Sequence, residues 1–295
     1  LEVALGELAG LTSALFWATT NIVLRGPALR LGAVTVNAWR AFFAALAFFV
    51  VFALTRHISD LAAIPLRSLA ALLTAVLVGM VIGDALQLTA LGQIGVARAM
   101  PIGASFPLFT VLLAALFLHE AVTIRTFLGA LLVIAGVVLL AVPQGAREAT
   151  APLTARQQWV GVGLALTAAC CWAVSTTLTR VAVEHIDVVI ANTVRLPVSA
   201  TMSALFGLGR AKVPARKFGW QNFAILALAG VFGTAGGGFL YLVSVSLAGA
   251  AKSAILSAFS PVFGLVGAVF FLHERPGARG LVGTLIAVGG ILLVV

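Results

Sequence analysis

Ten runs of apolar residues follow one another along this chain, from Leu5–Leu24 to Ala278–Val295, with short polar connections between them. Each is long enough to cross a bilayer as a helix, for which roughly 17–25 residues are needed. A backbone in lipid has no water to bond to, so only helices and closed barrels span a membrane. The runs are rich in Leu, Ala and Gly and do not alternate apolar with polar positions, which favours helices over barrel strands. Composition enters here as a check. The chain is 62% hydrophobic and 9% charged, against about 25% charged in soluble domains. It cannot cover a water-facing surface, and the lipid bilayer is its expected solvent. The first run lacks a basic leader and recurs later in the chain, so it reads as a span rather than a signal peptide.

The chain is also duplicated. Gly95–Glu120 reads GVARAMPIGASFPLFTVLLAALFLHE and Gly249–Glu274 reads GAAKSAILSAFSPVFGLVGAVFFLHE, 154 residues apart. Gly79, Gly129 and Gly136 meet Gly233, Gly283 and Gly290 at the same offset. Trp17, Arg25, Asn37 and Arg40 meet Trp172, Arg180, Asn192 and Arg195 at an offset of 155. One residue is therefore lost between Arg40 and Gly79. Each unit holds five runs. Five is odd, so the second unit enters the membrane from the opposite side. The expected fold is all-α and membrane-integral: ten transmembrane helices as two five-helix inverted-topology repeats, residues 1–142 and 159–295, joined by a linker over 143–158. In that architecture the substrate site lies near the midplane, between the halves.

The net charge of +9 does not point to nucleic acid. The cations are scattered between apolar runs, apart from one cluster at Arg210, Lys212, Arg216 and Lys217. Basic loops on a membrane protein set its orientation. Most cations fall on connections after odd-numbered runs, which by that rule puts both termini outside. The adjacent Cys170 and Cys171 point in different directions on a helix, a poor geometry for a disulfide, and read as packing residues.

Asp84 is the sharpest candidate for function. It is the one acidic residue in the middle of an apolar run, where a carboxylate costs about 2.5–3.5 kcal/mol on insertion scales. Its repeat counterpart is Gly238, so it is not a symmetric scaffold feature. It reads as a ligand for a substrate ammonium group or as a protonatable coupling site, against a structural bond between helices, with Arg40 as one partner. Gln87 follows one turn on and extends a polar stripe. Trp17, Thr20 and Asn21 share a helical face, and Trp172, Ser175 and Thr176 repeat the pattern. An amphipathic ring beside hydroxyls suits a cavity wall; the alternative is helix packing with a satisfied indole N–H. Tyr241 is the only tyrosine and matches Gln87, which suggests opposing walls of one chamber.

Phe106 precedes Pro107, and Ser260 precedes Pro261. A proline inside a helix removes a backbone bond and kinks it, so Pro107 and Pro261 are expected hinges. Arg98 and Lys252 open equivalent runs and read either as gate charges or as side chains snorkelling to headgroups. Arg40 and Arg195 sit deeper and read as structural pairing. His119-Glu120 and His273-Glu274 lack a second ligand at i+4, so no zinc motif forms; each Glu fits a helix N-terminus. No metal and no cofactor are expected. Gly236-Gly237-Gly238 lies inside a run without a following Lys-Ser/Thr, so it is no phosphate loop.

Taken together these features resemble the drug/metabolite transporter superfamily, in its ten-helix EamA-type branch. The likeness covers essentially the whole chain. It rests on Trp17 and Trp172, Arg40 and Arg195, Pro107 and Pro261, Glu120 and Glu274, and the glycine pairs Gly129/Gly136 and Gly283/Gly290. His119-Glu120 and His273-Glu274 stand where that family usually has Gly-Glu. Within the superfamily the chain looks most like the YddG-type amino-acid exporters. Those carry an aromatic residue before the fourth-helix proline (Phe106), a Trp in the sixth helix (Trp172) and an acid in the third (Asp84). The resemblance implies an alternating-access carrier in a bacterial inner membrane, acting as a monomer. It implies export of small organic metabolites, amino acids including aromatic ones, and both termini cytoplasmic, against the charge count. Asp84 is titratable, so proton coupling and facilitated diffusion both stay open. Other solutes of the superfamily, such as nucleosides, sugar phosphates or cationic drugs, stay open. An intramembrane enzyme is the remote alternative. Serine chemistry needs a nearby base and an aspartyl dyad needs two carboxylates, and only Asp84 is deep.

Overall fold

Lipid leaves the backbone no partner but itself, and the described residues are helical almost throughout. The computed structural model describes residues 1–31, 33–56, 58–94, 99, 102–141, 154–208, 219–272 and 278–295. The first half consists of α1 (Glu2–Leu31), α2 (Ala33–Thr55), α3 (66–94), α4 (Phe106–Phe117) and α5 (Ile124–Ala141). The second consists of α6 (Ala155–Val183), α7 (Val188–Leu208), α8 (220–248), α9 (250–272) and α10 (Ala278–Val294). Among the described residues, six helices are long and apolar enough to cross a membrane, within α2, α3, α6, α7, α8 and α9. The apolar helices in α4, α5 and α10 are shorter.

Burial is inverted relative to a water-soluble protein. Large apolar side chains such as Leu8, Phe42, Phe49, Leu116 and Leu285 face outward. The fully buried positions include Ala14, Ala44, Ala165, Ala168 and Ala169. Small residues let helices approach closely where no hydrophobic effect drives them together. The seam between α5 and α10 shows this most plainly. A Cβ at Gly129 would stand 2.7 Å from the carbonyl of Gly290, and one at Gly290 would stand 2.7 Å from the carbonyl of Gly129.

The two halves pack reciprocally. α1 lies against α8 and α9, and α6 lies against α3 and α4; α2 pairs with α7, and α5 with α10. Local irregularities repeat as well. α3 widens into π-type turns over Val76–Gly83, and α8 does so over Ala229–Gly237. Such turns leave backbone carbonyls to be satisfied from outside the helix. Ser175 of α6 donates to the carbonyl of Ala75 at 2.7 Å, and Ser13 of α1 donates to that of Gly237 at 2.8 Å.

Three expectations change. Pro107 and Pro261 do not kink continuous helices. The chain turns at Ala104–Ser105 and again at Ala258–Phe259, and each proline sits in the first turn of the helix that follows. A proline costs little there, because its missing N–H had no partner in any case. Second, α6 starts at Ala155 rather than Trp159. Thr154 forms a capping box: its hydroxyl accepts from the Gln157 amide at 3.3 Å, and Gln157 Oε1 accepts from the Thr154 amide at 3.0 Å. Third, Glu120 does not cap the helix that follows it. Its two oxygens accept the Ala250 and Ala251 amides at 2.7 and 3.1 Å, so it caps α9 of the other half. The counterpart residue, Glu274, lies outside the described residues, as do His273, the basic cluster and residues 143–153 of the linker.

That junction gathers charge from both halves. Arg180 near the end of α6 reaches Glu120 at 3.8 Å and donates to the Ser246 carbonyl at 2.8 Å. Glu7 near the start of α1 pairs with Lys252 at the start of α9. Arg56 after α2 pairs with Asp187 before α7 at 2.5 Å. The start of α1 and the end of α6 therefore meet at one end of the bundle, and the first helices of the two halves run in opposite directions. Among the described residues each of these ion pairs joins one half to the other.

Candidate functional site

A cavity of about 430 Å³ opens between the halves. The two π-widened stretches and the two broken helices border it, and reciprocal packing presents equivalent residues from each side. Trp17 and Trp172, Thr20 and Ser175, Arg40 and Arg195, Met80 and Thr234, Asp84 and Gly238, and Phe106 and Ser260 all line it. Gly79, Thr176, Tyr241 and Ser257 complete the wall.

Each indole lies on a glycine of the opposite half. A Cβ at Gly83 would stand 3.1 Å from the Trp172 ring, and one at Gly237 would stand 2.9 Å from the Trp17 ring. The rings then diverge in their polar partners. Trp172 Nε1 donates to Asp84 Oδ1 at 2.9 Å, and its ring meets Phe106 edge-on at 6.2 Å between centroids. Trp17 has Gly238 where Trp172 has Asp84, and its ring instead packs against Tyr241 at 5.4 Å. The Tyr241 and Thr176 hydroxyls share a hydrogen bond of 2.8 Å. Among the described residues the cavity thus has two aromatic walls and one carboxylate. That combination accepts an apolar or aromatic body and offers one anionic contact.

The arginines are also unequal. Arg40 Nε donates to Asn37 Oδ1 at 2.9 Å, Asn37 donates to Ser203 at 3.3 Å, and Arg40 lies within electrostatic reach of Asp84. It makes no ion pair with Asp84 within 4.0 Å. Arg195 has no such hydrogen bond to Asn192, whose side-chain amide is buried without a partner.

Of the residues expected at the site, the structure brings Trp17, Thr20, Asp84, Phe106, Trp172, Ser175 and Tyr241 to one cavity. It does not bring Gln87, which is buried and donates to the Ala99 carbonyl at 3.1 Å, tying α3 to the approach to α4. Helical spacing put Gln87 on the face of Asp84, but its amide turns instead to the Ala99 carbonyl, a partner that only the fold brings near. The side chain of Asn21, and Arg98 as a whole, lie outside the described residues. Lys252 binds Glu7 rather than reaching for headgroups, and Pro107 and Pro261 follow the two breaks described above. Sequence reasoning set Arg40 and Arg195 aside as structural and passed over Met80, Thr234 and Ser257. The repeat carried a usable signal: Met80 and Thr234, like Arg40 and Arg195, are equivalent residues that both line the cavity. Among the described residues no three His, Cys, Asp or Glu side chains converge as a metal site.

A model of the EamA-like transporter family matches residues 4–142 and again 159–295. An uncharacterized transporter of Archaeoglobus fulgidus is 24% identical over 289 residues, spanning 97% of this chain and 96% of its own. A solved crystal structure of another protein superposes with a TM-score of 0.77 at 21% identity, covering 98% of this chain and 95% of that one; this likeness shows the fold. The family and the transporter relative point to transport rather than catalysis. With two family matches in tandem and helices apolar enough to cross lipid, this multi-pass membrane protein belongs to the EamA-like transporter family, which moves small solutes across membranes.

Proposed function

We propose that the chain is an alternating-access exporter of small organic metabolites, amino acids including aromatic ones foremost. It would work as ten spans in two inverted five-helix repeats. One observation carries this reading: the cavity between the repeats has two aromatic walls, Trp17 with Tyr241 and Trp172 with Phe106, beside the carboxylate of Asp84. Aromatic walls match an apolar side chain, and a carboxylate matches an ammonium group. In inverted repeats the halves rock about a site fixed between them. The broken helices at Ala104–Ser105 and Ala258–Phe259 border that site and supply the compliance that rocking needs. The protein acts as a monomer in a bacterial inner membrane, with both termini cytoplasmic.

Uptake of a labelled amino-acid panel into proteoliposomes, with and without an imposed pH gradient, tests the reading. Saturable uptake of aromatic amino acids supports it, and gradient dependence shows whether protons are coupled. Uptake equal to that of empty vesicles for the whole panel contradicts it and turns the search to nucleosides, sugar phosphates or cationic drugs.

A further inference from the structure

Asp84 accounts for one half of the cavity; in the other half Arg195 has, among the described residues, no carboxylate to pair with and a buried Nε without an acceptor. Arg195 occupies the repeat position of Arg40, but the groups that serve Arg40 are missing around it. Where Arg40 has Asp84 nearby, Arg195 faces Gly238, so close that a Cβ there would stand 2.7 Å from Nη2. Where Arg40 binds Asn37, the equivalent Asn192 makes no hydrogen bond, and Arg195 Nε is buried without an acceptor. The hydroxyl of Thr234, which lines the same cavity, is likewise buried without a partner. Ser257, Ser260 and Tyr241 add further hydroxyls to the wall. Among the described residues, this half of the lining therefore offers donors and no carboxylate to receive them.

An unpaired charge inside a membrane protein is costly, and such residues face a cavity or a ligand. A guanidinium offers a planar pair of N–H groups matched to a carboxylate, which it binds through two parallel bonds. We infer that Arg195, with Thr234, is the receiving site for an acidic group on the transported solute, and that the cargo class is organic carboxylates. This rests on the cavity being the cargo site. It adds that the acid end of an amino acid is held in the second repeat, while Asp84 in the first faces the ammonium end. Gly238 is part of the arrangement: an acid there, as the repeat would dictate, would neutralise Arg195 and close the site to an anion.

The test uses the full-length protein in detergent, with thermal stabilisation read against four probes: phenylalanine, 3-phenylpropanoate, phenethylamine and inorganic phosphate. Phenylalanine and 3-phenylpropanoate are expected to stabilise the protein, and phenethylamine to do so weakly or not at all. Arg195→Gln is expected to weaken the two carboxylates about tenfold or more, leaving phenethylamine unchanged. Arg195→Lys retains charge without the planar fork and should recover part of the loss. Thr234→Val, a milder change, should weaken the same two ligands less. Elution as a single species verifies folding of each variant. Equal loss for acid and amine probes, or no anion effect on the natural protein, overturns the inference. Arg195-dependent stabilisation by 3-phenylpropanoate or phosphate with none by phenylalanine keeps the anion site and removes the amino-acid reading.

Discussion

Trp172 and Asp84 come from opposite repeats, and the 2.9 Å bond from the indole Nε1 to Oδ1 fixes the carboxylate at the cavity wall. A membrane carboxylate that is held but not neutralised is free to act on a solute. Asp84→Asn keeps an acceptor for Trp172 and removes the charge. The expected result is normal folding with transport of aromatic amino acids lowered about tenfold or more. Turnover equal to the natural protein in reconstituted vesicles would retire Asp84 as a functional residue.

The indoles serve as walls, one against Phe106 and one against Tyr241. Trp17→Ala and Trp172→Ala should therefore raise KM for aromatic solutes more than for small ones. Trp172→Phe, which keeps a ring but loses the bond to Asp84, should separate the packing effect from the polar one. Equal losses across a panel of solute sizes would instead favour a purely structural role for both rings.

The α5–α10 seam is held at backbone distance: a Cβ at Gly290 or Gly129 would stand 2.7 Å from the other's carbonyl oxygen. The obstacle is a carbonyl oxygen, which cannot swing aside as a side chain can. Gly290→Ala is expected to destabilise by about 1–3 kcal/mol and to lower the thermal midpoint in detergent. The same substitution at Gly264, where nothing lies within 4 Å, should leave the midpoint unchanged. Similar effects at both positions would contradict the close-approach account.

Glu120 caps α9 from the other half while Arg180 stands beside it. The sequence repeats both residues as Glu274 and Arg25. Glu120→Ala should loosen the end where the chain begins. With Cys170 and Cys171 replaced by Ser, a cysteine at Ser257 should react faster with an impermeant thiol reagent added on the side of the termini. Unchanged reactivity would show that this cap stabilises α9 without holding the end closed.

Much of this was legible in the sequence because duplication aligns residues without a structure. Trp17 with Trp172 and Pro107 with Pro261 sit at equivalent places because the repeat dictates it. What stayed hidden depends on geometry between the halves. Glu120 reads as a cap for its own neighbour, and only the fold brings Ala250 to it. Gln87 left the cavity wall because its amide bonds to the Ala99 carbonyl, and helical spacing carries no trace of that partner. Arg195 looked like Arg40 until Gly238 and the unbonded Asn192 showed that its partners are absent.

The most direct test of alternating access is counterflow. Proteoliposomes loaded with unlabelled phenylalanine are diluted into a trace of labelled phenylalanine. A carrier that returns loaded faster than empty accumulates label transiently above its equilibrium level, and that overshoot is the predicted result. Monotonic equilibration at a rate independent of the internal load would contradict the account and indicate a pore.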